Sequence, residues 1–145
     1  MGKVVAVCTS EIKGIQKSET AHIELKPDYG IEGDAHAGNW HRQVSLLSYE
    51  RIQEFKERGA DVHNGSFGEN IIVEGVGDLK AYPVGTRFAC GSAVLELTQI
   101  GKECHAHCAI YHKMGDCIMP REGVFTRVVE GGVVAPGDAV DVLRP

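Results

Sequence analysis

Short runs of β-branched and apolar residues, none longer than a few positions, alternate along this chain with turn-forming pairs. Lys3 to Cys8, Gln43 to Leu47, Ile71 to Val73, Ala93 to Gln99, Val124 to Val129 and Ala139 to Leu143 each have the length and composition of a strand. Between them stand Lys26-Pro27, Asn64-Gly65, Tyr82-Pro83-Val84-Gly85, Gly131-Gly132 and Pro136-Gly137-Asp138, where the backbone preferences of Gly, Pro, Asn and Asp stop a strand and turn the chain. Thr86 to Cys90 and Ala93 to Gln99, separated only by Gly91-Ser92, read as a hairpin. Ala21 to Leu25 alternates and predicts a further strand, whereas polar Thr9 to Thr20 reads as an irregular arm. One segment departs from this pattern. Ser48 is a good N-cap, Leu47 and Ile52 hold the two positions of a hydrophobic staple, Tyr49, Ile52 and Phe55 form an apolar stripe, and Gly59 supplies a stop. Many strands, frequent turns and one clear helix predict a mainly-β fold, a closed or partly open barrel with a few short helices.

A chain of 145 residues is long enough to bury roughly 70% of its unfolded surface without a disulfide or metal scaffold, and it reads as a single domain, 1–145. Its net charge is −5, with Lys and Arg scattered, which argues against a nucleic-acid partner. The first apolar run, Val4 to Val7, is too short for an export signal or a bilayer span. The expectation is therefore a cytoplasmic protein with no membrane partner, whose five cysteines are reduced thiols.

Three of those cysteines and three of the seven histidines fall within Cys104 to Cys117. Three readings of this cluster stay open on spacing. One thiolate could work as a sulfur carrier or metal ligand, favoured by Lys102 and the nearby histidines and opposed by Glu103. Cys104, Cys108, His112 and Cys117 could instead bind zinc, since the steps from 104 to 108 to 112 share one helical face. They could also be ordinary buried or surface residues. Two Gly-rich loops carry further polar groups. Asp34 and His36 stand two apart in Tyr29 to Gly38, where a carboxylate could orient the imidazole as a base or ligand, or simply close an Asx turn. Glu69 and Asn70 follow Asn64-Gly65-Ser66-Phe67-Gly68 and could face a ligand or tie their own loop. Cys90 reads as core.

The order of these motifs carries more than any one of them. Gly33-Asp34-Ala35-His36-Ala37-Gly38, Arg42 to Ser48, Gly68-Glu69-Asn70, Leu95-Glu96-Leu97-Thr98-Gln99 running to Cys104, Arg121 to Phe125, Gly131-Gly132 and Pro136-Gly137-Asp138 together resemble a MOSC domain, the domain found at the C-terminus of molybdenum-cofactor sulfurases. The resemblance implies a barrel related to that of pyruvate kinase. It implies that Cys104 is the functional thiol, accepting sulfur as a persulfide from a pyridoxal-phosphate-dependent cysteine desulfurase or ligating molybdenum of the pterin cofactor, molybdopterin. Asp34 and His36 would then line the site and set protonation, while Glu69, Asn70, Lys102 and Arg121 would position the cofactor or an incoming partner. Partners would be a desulfurase and proteins that make or accept the cofactor. Some relatives reduce N-hydroxylated compounds with it, and a non-enzymatic zinc-binding or cofactor-storage module is a further alternative. Lys102 and Glu103 replace an Arg and a Pro common near the family's cysteine, and Cys108, His112 and Cys117 lie outside the usual pattern.

Overall fold

The computed structural model describes residues 2–12, 16–59, 61–101 and 123–143. In chain order the elements are β1 (Gly2–Thr9), β2 (Ser18–Thr20), β3 (Ile23–Lys26), β4 (Gly30–Ile31), β5 (Val44–Ser48), α1 (Tyr49–Glu57), β6 (Ile71–Glu74), β7 (Arg87–Cys90), β8 (Ala93–Ile100), β9 (Val124–Glu130), β10 (Gly132–Val134) and β11 (Ala139–Leu143), with a single 3-10 turn at Leu79–Ala81.

Seven strands close a barrel in the order β11-β7-β8-β9-β5-β6-β1, and the β1–β11 pairing completes the ring. All pairs are antiparallel except β5–β6. Parallel neighbours need a crossover, and α1 lies within that connection. The start of β1 pairs with β11 through Gly2 and Lys3, and its end, Val7 to Thr9, pairs with β2. The predicted hairpin is present, with Cys90 opposite Ala93.

Alternation decides what fills the barrel. Val44, Leu46, Ile71, Val73, Phe88, Leu95, Leu97, Val124, Val128 and Val140 belong to one buried cluster. A register shift between Val4 and Ala6 lets Val4 and Val7 both join it, as expected of a bulge that reverses which face the following residues take. A second cluster lies under the helix, where Ile52 and Phe55 pack with Ala6, Leu47, Ile72, Phe67 and Phe125. Each such side chain contributes about 1.5–3 kcal/mol when fully buried. With both faces covered, β5 is buried at every residue. The staple pair Leu47 and Ile52 meet in this cluster, but the Ser48 hydroxyl makes no backbone cap and donates to Glu50 Oε1 at 2.9 Å.

Three short strands depart from the sequence reading. β2 runs through the polar arm with all three residues exposed and is held by its ladder to β1. β4 and β10 flank β3 in a small separate sheet. β3 itself begins at Ile23, two residues later than the alternation from Ala21 predicts. Among the described residues α1 is the one α-helix, where a few short helices were expected. No helix among them is long and apolar enough to cross a membrane.

Candidate functional site

The loop between β4 and β5 brings the polar groups together. Asp34 is buried, and its Oδ1 accepts the Lys17 ammonium at 2.7 Å and the Ser10 backbone N–H at 3.1 Å. Its Oδ2 accepts the His36 backbone N–H at 3.0 Å. Burial opposes ionisation of this carboxyl, but hydrogen bonds from His36 and Lys17 and the Lys17 charge outweigh it and hold the group well below the usual carboxylate range. Lys17, with only 1% of its surface exposed, was invisible in the sequence because it lies in an arm without periodicity.

From His36 a row of flat groups leads across the loop. The His36 and Trp40 rings stack with centroids 6.4 Å apart, and Trp40 Nε1 donates to the His36 carbonyl at 2.7 Å. The Arg42 guanidinium carbon lies 4.8 Å from the Trp40 ring centre and 5.6 Å from that of Phe125. Arg42 Nε is buried and has no hydrogen-bond partner among the described residues. The loop's end is fastened where β8 leaves the barrel and β9 re-enters. His41 Nε2 and Gln99 Oε1 are 2.9 Å apart, Thr98 Oγ1 donates to the His41 carbonyl, and Gln99 Nε2 donates to the Gly101 carbonyl at 2.7 Å. Gly101 has φ +67° and donates its N–H to the Gly123 carbonyl at 2.7 Å, joining the two ends of the 102–122 segment.

Of the two readings their spacing left open, Asp34 and His36 make the Asx turn: the carboxylate takes the His36 backbone N–H, and its Oδ2 stands 3.7 Å from the ring Nδ1. Glu69 and Asn70 sit behind them and are engaged internally. Glu69 is fully buried, accepting the Gly65 N–H at 3.2 Å and the Phe67 N–H at 3.0 Å. Asn70 Oδ1 accepts the Ser45 N–H at 3.0 Å, and its Nδ2 donates to the Cys8 carbonyl at 3.1 Å, so this one amide ties β5 to β1. Gly65, at φ +92°, accepts the Lys17 N–H on its carbonyl at 2.9 Å, and a Cβ there would stand 2.0 Å from the Lys17 carbonyl oxygen. The Glu69 loop thus forms the wall that seats Lys17. Lys102, Cys104, Cys108, His112, Cys117 and Arg121 lie outside the described residues. Among the described residues no group of three or more His, Cys, Asp or Glu could hold a metal ion.

Burial pushes the Cys8 thiol up to about 12, with the Glu69 charge adding to it, and burial likewise pushes Cys90 up to about 12. Neither is a thiolate near neutral pH. Cys90 is core, as expected.

Burial also raises the Glu69 carboxyl to about 7 from an ordinary 4.5, against backbone N–H groups and His63 that pull it down. The native state then holds this proton more tightly than the unfolded chain, so stability falls as pH rises from 4.5 to about 7 and levels off above. At ~1.4 kcal/mol per pH unit the fall is on the order of 3 kcal/mol. Asp34 acts with the opposite sign, but only below its ordinary value of 3.8. Thermal unfolding followed across this range should show the decline, and Glu69→Gln should flatten it while losing one N–H acceptor. A variant that declines in parallel with the wild type would assign the pH dependence to another group.

Solved structures share this fold. The YUAD protein of Bacillus subtilis superposes with TM-score 0.75 at 19% identity over 100% of this chain and 97% of its own. YiiM from Geobacillus stearothermophilus gives 0.75 at 20% identity over 99% of this chain and 76% of its own, and YiiM from Escherichia coli gives 0.67 at 19% over 100% and 71%. No protein of curated function matches this chain. The family model of the MOSC domain matches residues 33–141, from the glycine that opens the Asp34–His36 loop to the closing strand. The chain therefore belongs to the MOSC domain family, which is linked to the molybdenum cofactor.

Proposed function

We propose that this protein binds the molybdenum cofactor or carries sulfur to it as a persulfide on Cys104. The observation that carries the reading is the fastening of the Asp34–Arg42 loop to Thr98, Gln99 and Phe125, at the root of the segment in which Cys104 lies three residues beyond Gly101. Three residues of chain span at most about 10 Å. The elimination of Cys8 and Cys90 as thiolates supports it further.

The residues at hand suit the cofactor. Arg42 offers a buried Nε without a partner among the described residues, beside two aromatic faces, a donor set for an anionic group such as a pterin phosphate. Lys102 and Arg121 would add charge for the same phosphate. When bound, the cofactor would supply a redox-active, sulfur-seeking metal centre. Asp34 holds the His36 backbone in place, His36 offers its ring to the site, and Glu69 and Asn70 brace the wall behind them. For sulfur carriage, the Cys104 thiolate attacks the outer sulfur of the donor's persulfide. The donor's S–S bond breaks, its cysteine leaves as a thiolate, and Cys104 keeps the outer sulfur, with no net oxidation.

The test is to incubate the protein with cysteine and a pyridoxal-phosphate-dependent desulfurase and to map persulfide by peptide mass spectrometry. Sulfur on the Cys104 peptide is the expected result. Sulfur confined to Cys108 or Cys117, or none, in protein that also carries no molybdenum or pterin from its host, would defeat the reading.

A further inference from the structure

Lys17 belongs to none of the motifs that pointed to the site, yet its ammonium sits at the centre of it. Nζ is 2.7 Å from Asp34 Oδ1, 3.1 Å from Ser10 Oγ and 3.1 Å from His36 Nδ1. An ammonium has three protons to give and no lone pair to receive one. Asp34 Oδ1 is an acceptor, and Ser10 Oγ spends its own hydrogen on the Ile12 carbonyl at 3.0 Å, which leaves lone pairs for Lys17. The third contact is a hydrogen bond only if His36 Nδ1 carries a lone pair. A proton on Nδ1 would set N–H against N–H at 3.1 Å, and Asp34 Oδ2, at 3.7 Å, lies beyond hydrogen-bond reach and already holds the His36 backbone.

We infer that Lys17 is a positioning residue whose ammonium holds His36 as the Nε2–H tautomer, so that the ring presents a hydrogen-bond donor to the site. The usual carboxylate–histidine pair does the reverse: the carboxylate takes the Nδ1 proton and leaves Nε2 as a base. Here the carboxylate is given to the lysine and to backbone N–H groups, and the imidazole is turned over by a cation. A donor at Nε2 stabilises a thiolate or another anion and cannot remove a proton from one. That the acceptor is the Cys104 thiolate or an anionic cofactor group rests on the function proposed above; the tautomer does not.

Nitrogen-15 NMR of the labelled wild-type protein reads it directly. His36 should show an unprotonated Nδ1 and a protonated Nε2, with scalar coupling from Lys17 Nζ to Nδ1 across the hydrogen bond. In Lys17→Met the pure Nε2–H signature should give way to a mixture or to Nδ1–H. A protonated Nδ1 in the wild type, or an unchanged Nε2–H tautomer in a folded Lys17→Met protein, would overturn the inference. If that variant does not fold, the wild-type coupling decides, and its absence counts against Lys17. For the role in the site, His36→Gln, whose amide N–H can replace Nε2–H, should keep the sulfur loading that His36→Ala loses. Equal loss in both would make His36 a base. A wild type that loads no sulfur on Cys104 would sink the proposed function and leave the tautomer standing.

Discussion

Cys104→Ser should fold as the wild type does and take up no sulfur above the level of the desulfurase alone. The chemistry turns on one atom. A thiolate attacks a persulfide because sulfur is ionisable near neutral pH and strongly nucleophilic, whereas a serine hydroxyl is neither at its ordinary pKa. The described cysteines cannot substitute, since burial keeps Cys8 and Cys90 protonated. The circular dichroism of the barrel and its thermal transition provide the fold control. Elemental analysis of the same two proteins separates the rival chemistries. Molybdenum and pterin lost in the variant would make Cys104 a ligand, and turnover of an N-hydroxylated compound with an electron donor would then mark a reductase. Zinc kept in the variant but lost on replacing Cys108 or Cys117 would assign the cluster to a structural metal. A folded Cys104→Ser protein that loads sulfur as the wild type does would remove the central claim.

The barrel was legible because its strands obey local rules. β1, β5, β6, β8, β9 and β11 all fall on runs picked out by β-branched and apolar composition, and Gly or Pro stands near an end of each except β5, which runs directly into α1. What the pattern missed has no local signature. β2 is exposed at Ser18, Glu19 and Thr20 and exists only through its partner strand. The site divides in the same way. Asp34 and His36 are two apart in sequence and could be paired on paper, whereas Lys17 reaches Asp34 across 17 positions and Arg42 reaches Phe125 only because β5 pairs with β9. Glu69 shows the opposite limit. Its sequence position allowed either a ligand contact or a loop brace, and only the Gly65 and Phe67 N–H groups converging on its carboxylate show the internal bonds it makes.

Lys17→Met should cost about 3–5 kcal/mol, the range for removing one partner of a buried ion pair. For a chain of this size that lowers Tm by roughly 10 °C. Methionine nearly matches the lysine stem in volume, so little of the loss is packing. The loss comes from Asp34, whose side chain is fully buried and, among the described residues, would keep only the Ser10 and His36 N–H groups as donors. The pH dependence identifies the cause. In the wild type the Asp34 carboxyl is held below its ordinary 3.8, so its contribution is complete above that value and is lost as pH falls through the folded pKa. In Lys17→Met, burial without the cation favours the protonated carboxyl, and the variant is hurt most where Asp34 must ionise. The stability difference between the two proteins should therefore be largest near neutral pH and shrink as pH falls through the variant's raised carboxyl pKa, which lies above the ordinary 3.8, toward the depressed wild-type value. Glu69 titrates in both and cancels from that difference. Pairing the change with Asp34→Asn should recover part of the loss, because the double variant buries no unpaired charge, and the coupling between the two positions measures the pair itself. A Lys17→Met deficit that stays constant with pH would mean that the lysine serves as packing, and the charge would not be what holds the His36 loop to β1.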